Sequence, residues 1–312
     1  MILALWLLAT GAPAREVRLV MGTTAEVWAE GLAEPAAALD QAFAALGLVD
    51  NQMSLWKQSD LTRLNRAGHA RVPPELAAVL RHALDVAAAS GGAFDASVEP
   101  LVRAAGGLGG KAQRLTPAAR KRLLARVGSA HVHLAPDDQV RLDPGTALDF
   151  GGIAKGFAVD LAVAALRRAG ASAGFVDLGG SSLGLFGEPM RLDVRNPEEP
   201  GGRAWVRFRI SEGHVATSGG DQKPGHILDP RTGLPAKRVL SATVVARSGI
   251  EADALATAVF VLGADEGLAL LARRGAEGIV LLRAGQRRLA RITPGLAEAH
   301  DLETEQGVML WP

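Results

Sequence analysis

The chain has no cysteine and no tyrosine among its 312 residues. Without cysteine there is no disulfide, no thiolate metal ligand and no site for a cysteine-linked lipid anchor. A charge excess is also missing. Lys and Arg number 34 against 33 Asp and Glu, a formal net charge of +1, which argues against electrostatic capture of nucleic acid. Long apolar runs are scarce. Residues 2–8 (ILALWLL) are apolar but too short to span a bilayer. The small residues Ala12-Pro13-Ala14 resemble a cleavage site, so 1–14 reads as a signal segment, although no basic stretch precedes Ile2. An uncleaved buried strand is the alternative. No other segment suggests a transmembrane helix. Familiar catalytic signatures are absent too. There is no HExxH zinc motif, Ser218 does not sit in GxSxG, and the Gly151-Gly152 turn fits neither the P-loop nor GxGxxG.

What is present is an ordinary globular composition, 48% hydrophobic and 21% charged. Residues 15–312 are long enough for one large domain, or two intimate subdomains. Residues 15–29 alternate like a strand around Met21-Gly22-Thr23. Helical spacing is read over 36–48, and over 74–90 with Pro at its start and Gly91-Gly92 as its stop. Residues 53–65 read as a loop leading to a short helix. Residues 104–115 read as a Gly-rich, mobile connection. Thr116-Pro117 opens a further helix, and 131–143 reads as a hairpin around Pro136-Asp137-Asp138. Residues 146–150 read as a strand that feeds a helix ending at Arg168. A buried strand follows over 174–178, then further strands up to Ile210. The strand at 241–246 leads into a helix whose start Ser248 and Glu251 would cap and which Gly263 would stop. A last helix and a strand pair close the chain. Hairpins beside crossovers predict an α/β chain of mixed α+β type, with mixed sheets flanked by helices.

Three constellations carry chemistry. In 149–160 (DFGGIAKGFAVD), two glycines join a strand end to a helix start, where free N–H groups and the helix dipole favour an anion. Lys155 falls in the first turn, where a cation is unfavourable by roughly 0.3–1 kcal/mol. A local rule broken this way points to a task, such as reaching a phosphate. A plain glycine turn with a solvated lysine is the alternative. Asp253 and Thr257 lie four residues apart on one face of an apolar helix. They suit a hard cation such as Mg²⁺, which completes its shell with water, backbone carbonyls and phosphate. As structural residues they would be an Asp serving the helix dipole and a Thr bonded back to a carbonyl. A carbonyl of the Gly151-Gly152 turn could add a ligand. Finally, His226 opens HILDPRTG (226–233). Pro230 holds Asp229 extended, and a His at a strand end beside a carboxylate is either a candidate general base or a satisfied structural histidine.

In order along the chain, these pieces resemble the ApbE family of FAD:protein FMN transferases. The resemblance rests on Met21-Gly22-Thr23, MSLW at 53–56, SGGAFDASVEP at 90–100, DxGGIAKG, HI-x-DP-x-TG and the Asp253 helix. It implies an ApbE-like fold and a Mg²⁺-dependent enzyme. FMN would pass from FAD to a Thr or Ser hydroxyl of a target flavoprotein, with release of AMP. The target would be exported or membrane-associated, so a periplasmic or exported location is expected, without a lipid anchor. Carried over residue by residue, FAD contacts fall on Met21, Trp56, Ala93, Phe94, Asp95, Asp149, Lys155 and Leu228. Metal ligands fall on Asp253, Thr257 and the Gly152 carbonyl, and His226 is the candidate base. Trp56 and Phe94 would pack against flavin or adenine, or serve as core or rim aromatics. Two other activities use the same contacts: hydrolysis of FAD to FMN and AMP, and non-catalytic flavin binding by a maturation factor. The chain departs from the family pattern in a short lead (GGDQKPG, 219–225) into His226. Glu99 stands where Gly is common, and Ala256 where some members carry a second carboxylate.

Overall fold

Alternating side chains build the first element of the fold. In the computed structural model, residues 13–111, 113, 115–195, 203–219, 226–285, 287–299 and 301–311 are described. The apolar segment at 2–8 and residues 220–225 of the lead into His226 lie outside the described residues. The alternation at 15–29 is a hairpin of β1 (Ala14–Val20) and β2 (Thr23–Glu30). Met21 and Gly22 form its turn with φ of 52° and 74°, the pair of positive angles that a tight two-residue hairpin requires.

Helix α1 (Pro35–Met53) follows, then α2 (Asp60–Ala67), whose capping box joins Ser59 and Thr62. Strand β3 (His69–Arg71) leads to α3 (Pro74–Ala89) and α4 (Glu99–Ala104). Helix α5 (Pro117–Leu124) starts where Thr116 accepts a hydrogen bond from Ala119 N–H. The expected hairpin is β4 (Val132–Leu134) with β5 (Gln139–Leu142), and β3 joins it as a small sheet. The strand read at 146–150 does not form. Its one ladder contact is a bridge between Ala147 and Val98. Asn65 takes both backbone groups of Leu148, at 2.8 Å each, and Asp149 N–H donates to the Ala96 carbonyl, so no ladder partner is left to pair.

Next come α6 (Ala154–Arg168), β6 (Ala173–Leu178), β7 (Ser182–Phe186), β8 (Met190–Arg195), β9 (Ala204–Ile210) and β10 (Gly213–Gly219). The short pair β11 (Leu228–Asp229) and β12 (Leu234–Pro235) precedes β13 (Ser241–Ala246). Helices α7 (Gly249–Leu262) and α8 (Ala264–Arg274), strands β14 (Glu277–Ala284) and β15 (Arg287–Ile292), helix α9 (Pro294–Ala299) and strands β16 (Glu303–Thr304) and β17 (Val308–Trp311) complete the chain.

A nine-stranded sheet runs β1-β2-β6-β7-β10-β13-β14-β15-β17, antiparallel throughout except for the final parallel pair. Its two faces are separated by strand alternation. Ala25, Val27, Val176, Ala216, Ala242, Val244 and Val280 face the core under α1, α6 and α7. Leu185, Val215, Ile279 and Leu281 face a second core, shared with Trp205 and Phe208 of the β16-β9-β8 sheet. Helix α7 is buried along most of its length, which explains its apolar character on all sides. Among the described residues no helix is long and apolar enough to cross a membrane.

Candidate active site

At one end of the large sheet, on its helix-covered face, lies a cavity of about 510 Å³. Chain segments far apart in sequence meet there. The turns after β6 and at the end of β10 supply Gly179, Gly180, Ser181 and Ser218, and α4 supplies Val102. Trp56, Ala93, Phe94, Asp95, Asp149, Gly152, Lys155, His226, Leu228, Asp253 and Thr257 all line it. Met21 does not. It sits in the β1–β2 turn, close to the rim, because Thr23 packs on Gly179 and Thr24 accepts the Gly179 N–H at 2.8 Å.

The site has an apolar and a polar end. Trp56 is 68% exposed at the mouth, with its ring against Gly109, which leaves most of an indole available to a planar ligand. Phe94 is buried in the main core and touches the Gly152 position, so its packing role is also met within the protein. Asp95 is buried and holds the following turn, its Oδ1 accepting from Ser97 N–H at 2.8 Å and Ser97 Oγ–H at 2.6 Å. At the polar end, Lys155 Nζ donates to Ser181 Oγ. Thr257 Oγ1 lies 3.2 Å from Ser218 Oγ, and a side chain at Gly152 would press within 2.8 Å of that same Thr257 oxygen. The Gly152 backbone therefore stands directly beside the Asp253–Thr257 face.

Helices α6 and α7 cross by backbone contact at Gly156 and Gly249, where any side chain on either would collide with the other's carbonyl. This approach lets each helix cap the other. Asp253 of α7 accepts Gly156 N–H of α6 at 2.9 Å. Asp160 of α6 accepts Gly249 N–H at 2.5 Å and Ile250 N–H at 2.9 Å, the first N–H groups of α7. The capping box expected from Ser248 and Glu251 is accordingly absent, because Asp160 does that work from across the crossing. Glu251 turns instead to His82, at 2.7 Å, and Arg274.

This arrangement narrows the expected anion nest. Three glycine N–H groups are already used: Gly151 by Asp149 Oδ1 at 2.7 Å, Gly156 by Asp253, and Gly180 by Asp177 Oδ1 at 2.8 Å. Ile153 and Ala154 N–H both reach the Phe150 carbonyl. The polar end is instead rich in carboxylate. Burial raises the pKa of Asp149, Asp177 and Asp253 above the usual carboxylate value, with Lys155 opposing the rise at Asp253 and Asp177. Among the described residues no cluster of three or more His, Cys, Asp or Glu is placed to hold a metal by itself. The carboxylate in the His226 motif has a cation of its own. Asp229 forms a two-pronged pair with Arg231, at 2.9 and 3.0 Å.

Sequence reading missed Ser181 as the partner of Lys155, and Asp160 and Asp177 as turn and helix caps. Gly179-Gly180 signalled only a strand end, and Asp160 stood only as the last residue of the 149–160 segment.

Several known proteins are similar to this chain. A FAD:protein FMN transferase of Rhodobacter capsulatus is 33% identical over 294 residues, 86% of this chain and 56% of that protein. The Treponema pallidum protein of the same name is 34% identical over 288 residues, 81% of this chain and 80% of its own length. The solved apo form of Pseudomonas stutzeri flavinyl transferase ApbE superposes with a TM-score of 0.82 at 27% identity, covering 93% of this chain and 97% of that one. Residues 21–280 match the sequence profile of the ApbE family, and the chain belongs to that family.

Proposed function

We propose that the protein transfers FMN from FAD to a Thr or Ser hydroxyl of an acceptor flavoprotein in a Mg²⁺-dependent reaction that releases AMP. The observation that carries this reading is the meeting of separate chain segments in one cavity with an exposed indole at its mouth and a Lys, a cluster of hydroxyls and buried carboxylates at its base. A dinucleotide has the same division, with planar rings and a pyrophosphate.

The donor set fits a hard cation. Asp253 is buried, Thr257 Oγ1 is beside it on the helix face, and the Gly152 backbone adjoins that hydroxyl. These three would hold Mg²⁺, and substrate phosphate and water would complete the shell. Bound there, the ion would neutralise phosphate oxygens as a Lewis acid. A cation is also what the electrostatics ask for. Carboxylates already take the N–H groups of Gly151 and Gly156, so a pyrophosphate would otherwise meet Asp149 and Asp253 with Lys155 in favour.

In the transfer, the acceptor hydroxyl oxygen bonds to the FMN phosphorus while the anhydride bond to AMP breaks, and AMP leaves with the bridging oxygen. Lys155, steered by Ser181, faces the phosphates. His226 at the rim takes the hydroxyl proton. Trp56 covers a ring system and limits water at the mouth. Such chemistry depends chiefly on positioning and charge stabilisation. The test is His226→Ala, read by fluorescence of acceptor-bound flavin. Transfer is expected to fall by about 10²–10⁴-fold with FAD affinity unchanged. Full transfer by the variant would remove His226 from this role.

A further inference from the structure

All 33 acidic residues of the chain lie outside residues 100–136, whereas that stretch carries seven Lys and Arg. In a protein of net charge +1 this is a strong local separation of charge, and the structure places it beside the cavity. Helix α5 (PAARKRLL) has no buried residue, and Lys121, Arg122 and Arg126 are exposed. Arg103 of α4, Arg122 and Arg126 converge on a groove of about 360 Å³ between α4 and α5. Among the described residues, Arg103 pairs with Glu99, while Lys121, Arg122 and Arg126 form no ion pair. The groove is continuous with the cavity rim on two sides. Val102 and Ala105, on either side of Arg103 and Ala104, line the cavity. On the other side, the Arg120 stem and Leu101 pack on Gly233 of the turn that begins at Pro230, itself a lining residue.

We propose that this α4–α5 surface is where the acceptor flavoprotein docks, through an acidic face of its own. The inference rests on the proposed FMN transfer. Any protein that presents a hydroxyl to His226 must cover the adjoining rim, and a rim of unpaired cations selects an acidic partner. The short lead into His226 gives this role more weight, because fewer residues beside the base remain to grip the acceptor. Charge complementarity at a rim acts mainly on encounter and is screened by salt.

The test uses the full chain with Lys121→Glu and Arg122→Glu together, and as probe the apo form of a Thr-acceptor flavoprotein domain. Both side chains are exposed and outside the cavity lining. The KM for the acceptor is expected to rise at least about tenfold at low salt, while kcat at saturating acceptor and FAD affinity stay within about twofold. Added salt should raise the wild-type KM and flatten the difference between the two proteins. An unchanged acceptor KM at low salt would overturn the proposal. So would a variant that keeps its acceptor KM but loses binding to phosphatidylglycerol vesicles, since the patch would then face a membrane. If the wild-type protein binds FAD yet labels no acceptor, the transfer reading falls and the docking proposal with it.

Discussion

Asp253 has two tasks at residue scale. It caps α6 through Gly156 N–H, and it offers a buried carboxylate to a cation beside Thr257. Burial disfavours its ionised form, so the charge is a cost in the metal-free protein. Asp253→Asn keeps an acceptor for Gly156 N–H and removes the charge. The metal-free variant should therefore unfold at or above the wild-type temperature, and it should lose the stabilisation that Mg²⁺ with FAD gives the wild type. That stabilisation is about 2.7 kcal/mol at a ligand concentration of 100 Kd. Thermal unfolding with and without Mg²⁺ and FAD separates the two tasks. A variant that still responds to Mg²⁺ would show that Asp253 is a cap alone. Lys155→Met should weaken FAD binding, because it removes the cation that Ser181 holds at the base of the cavity.

The crossing of α6 and α7 dominates at the scale of elements. Asp160→Ala removes the acceptor of two N–H groups at the start of α7 and leaves His214, 3.2 Å away, without its carboxylate. Caps are worth about 0.5–2 kcal/mol each, so a lowered unfolding temperature is expected, with Asp160→Asn milder than Asp160→Ala. Gly156→Ala should be worse than either, since its Cβ would meet the Gly249 carbonyl and lie 2.8 Å from Asp253 Cβ. Most elements at this scale were legible in the sequence, because apolar period and Gly/Pro punctuation are local. Examples are α3 with its Pro start, the β4–β5 hairpin, and α6 ending before Gly170. The failures were non-local. Ser248 and Glu251 have the spelling of a capping box, but Asp160 occupies the N–H groups from 90 residues away. Residues 146–150 look like a strand, but Asn65, 83 residues earlier, takes the hydrogen bonds of Leu148. Most of the carried-over residues do line the cavity, Met21 excepted, whereas the use of the Gly151, Gly156 and Gly180 N–H groups by carboxylates required the three-dimensional arrangement.

For the whole molecule, α7 is tied to α3 and α8 through Glu251. Partial burial pushes that carboxyl up, but hydrogen bonds from His82 and Arg274 outweigh burial and hold its pKa at about 2, below the ordinary 4.5. A carboxyl lowered on folding stabilises the fold above its unfolded pKa, and that contribution is lost as pH falls through the folded value. Stability should thus decline from about pH 4.5 towards 2. Glu251→Gln, measured by chemical denaturation across that range, should flatten the decline. An identical pH profile would exclude the Glu251 cluster as its source. The central claim concerns what the cavity does with FAD, and intact-mass spectrometry of an acceptor flavoprotein incubated with the protein, FAD and Mg²⁺ tests it most directly. The account predicts an acceptor heavier by one FMN less one water, together with AMP, both abolished by chelation of Mg²⁺. An acceptor of unchanged mass, with FAD intact or split only to free FMN and AMP, would contradict it.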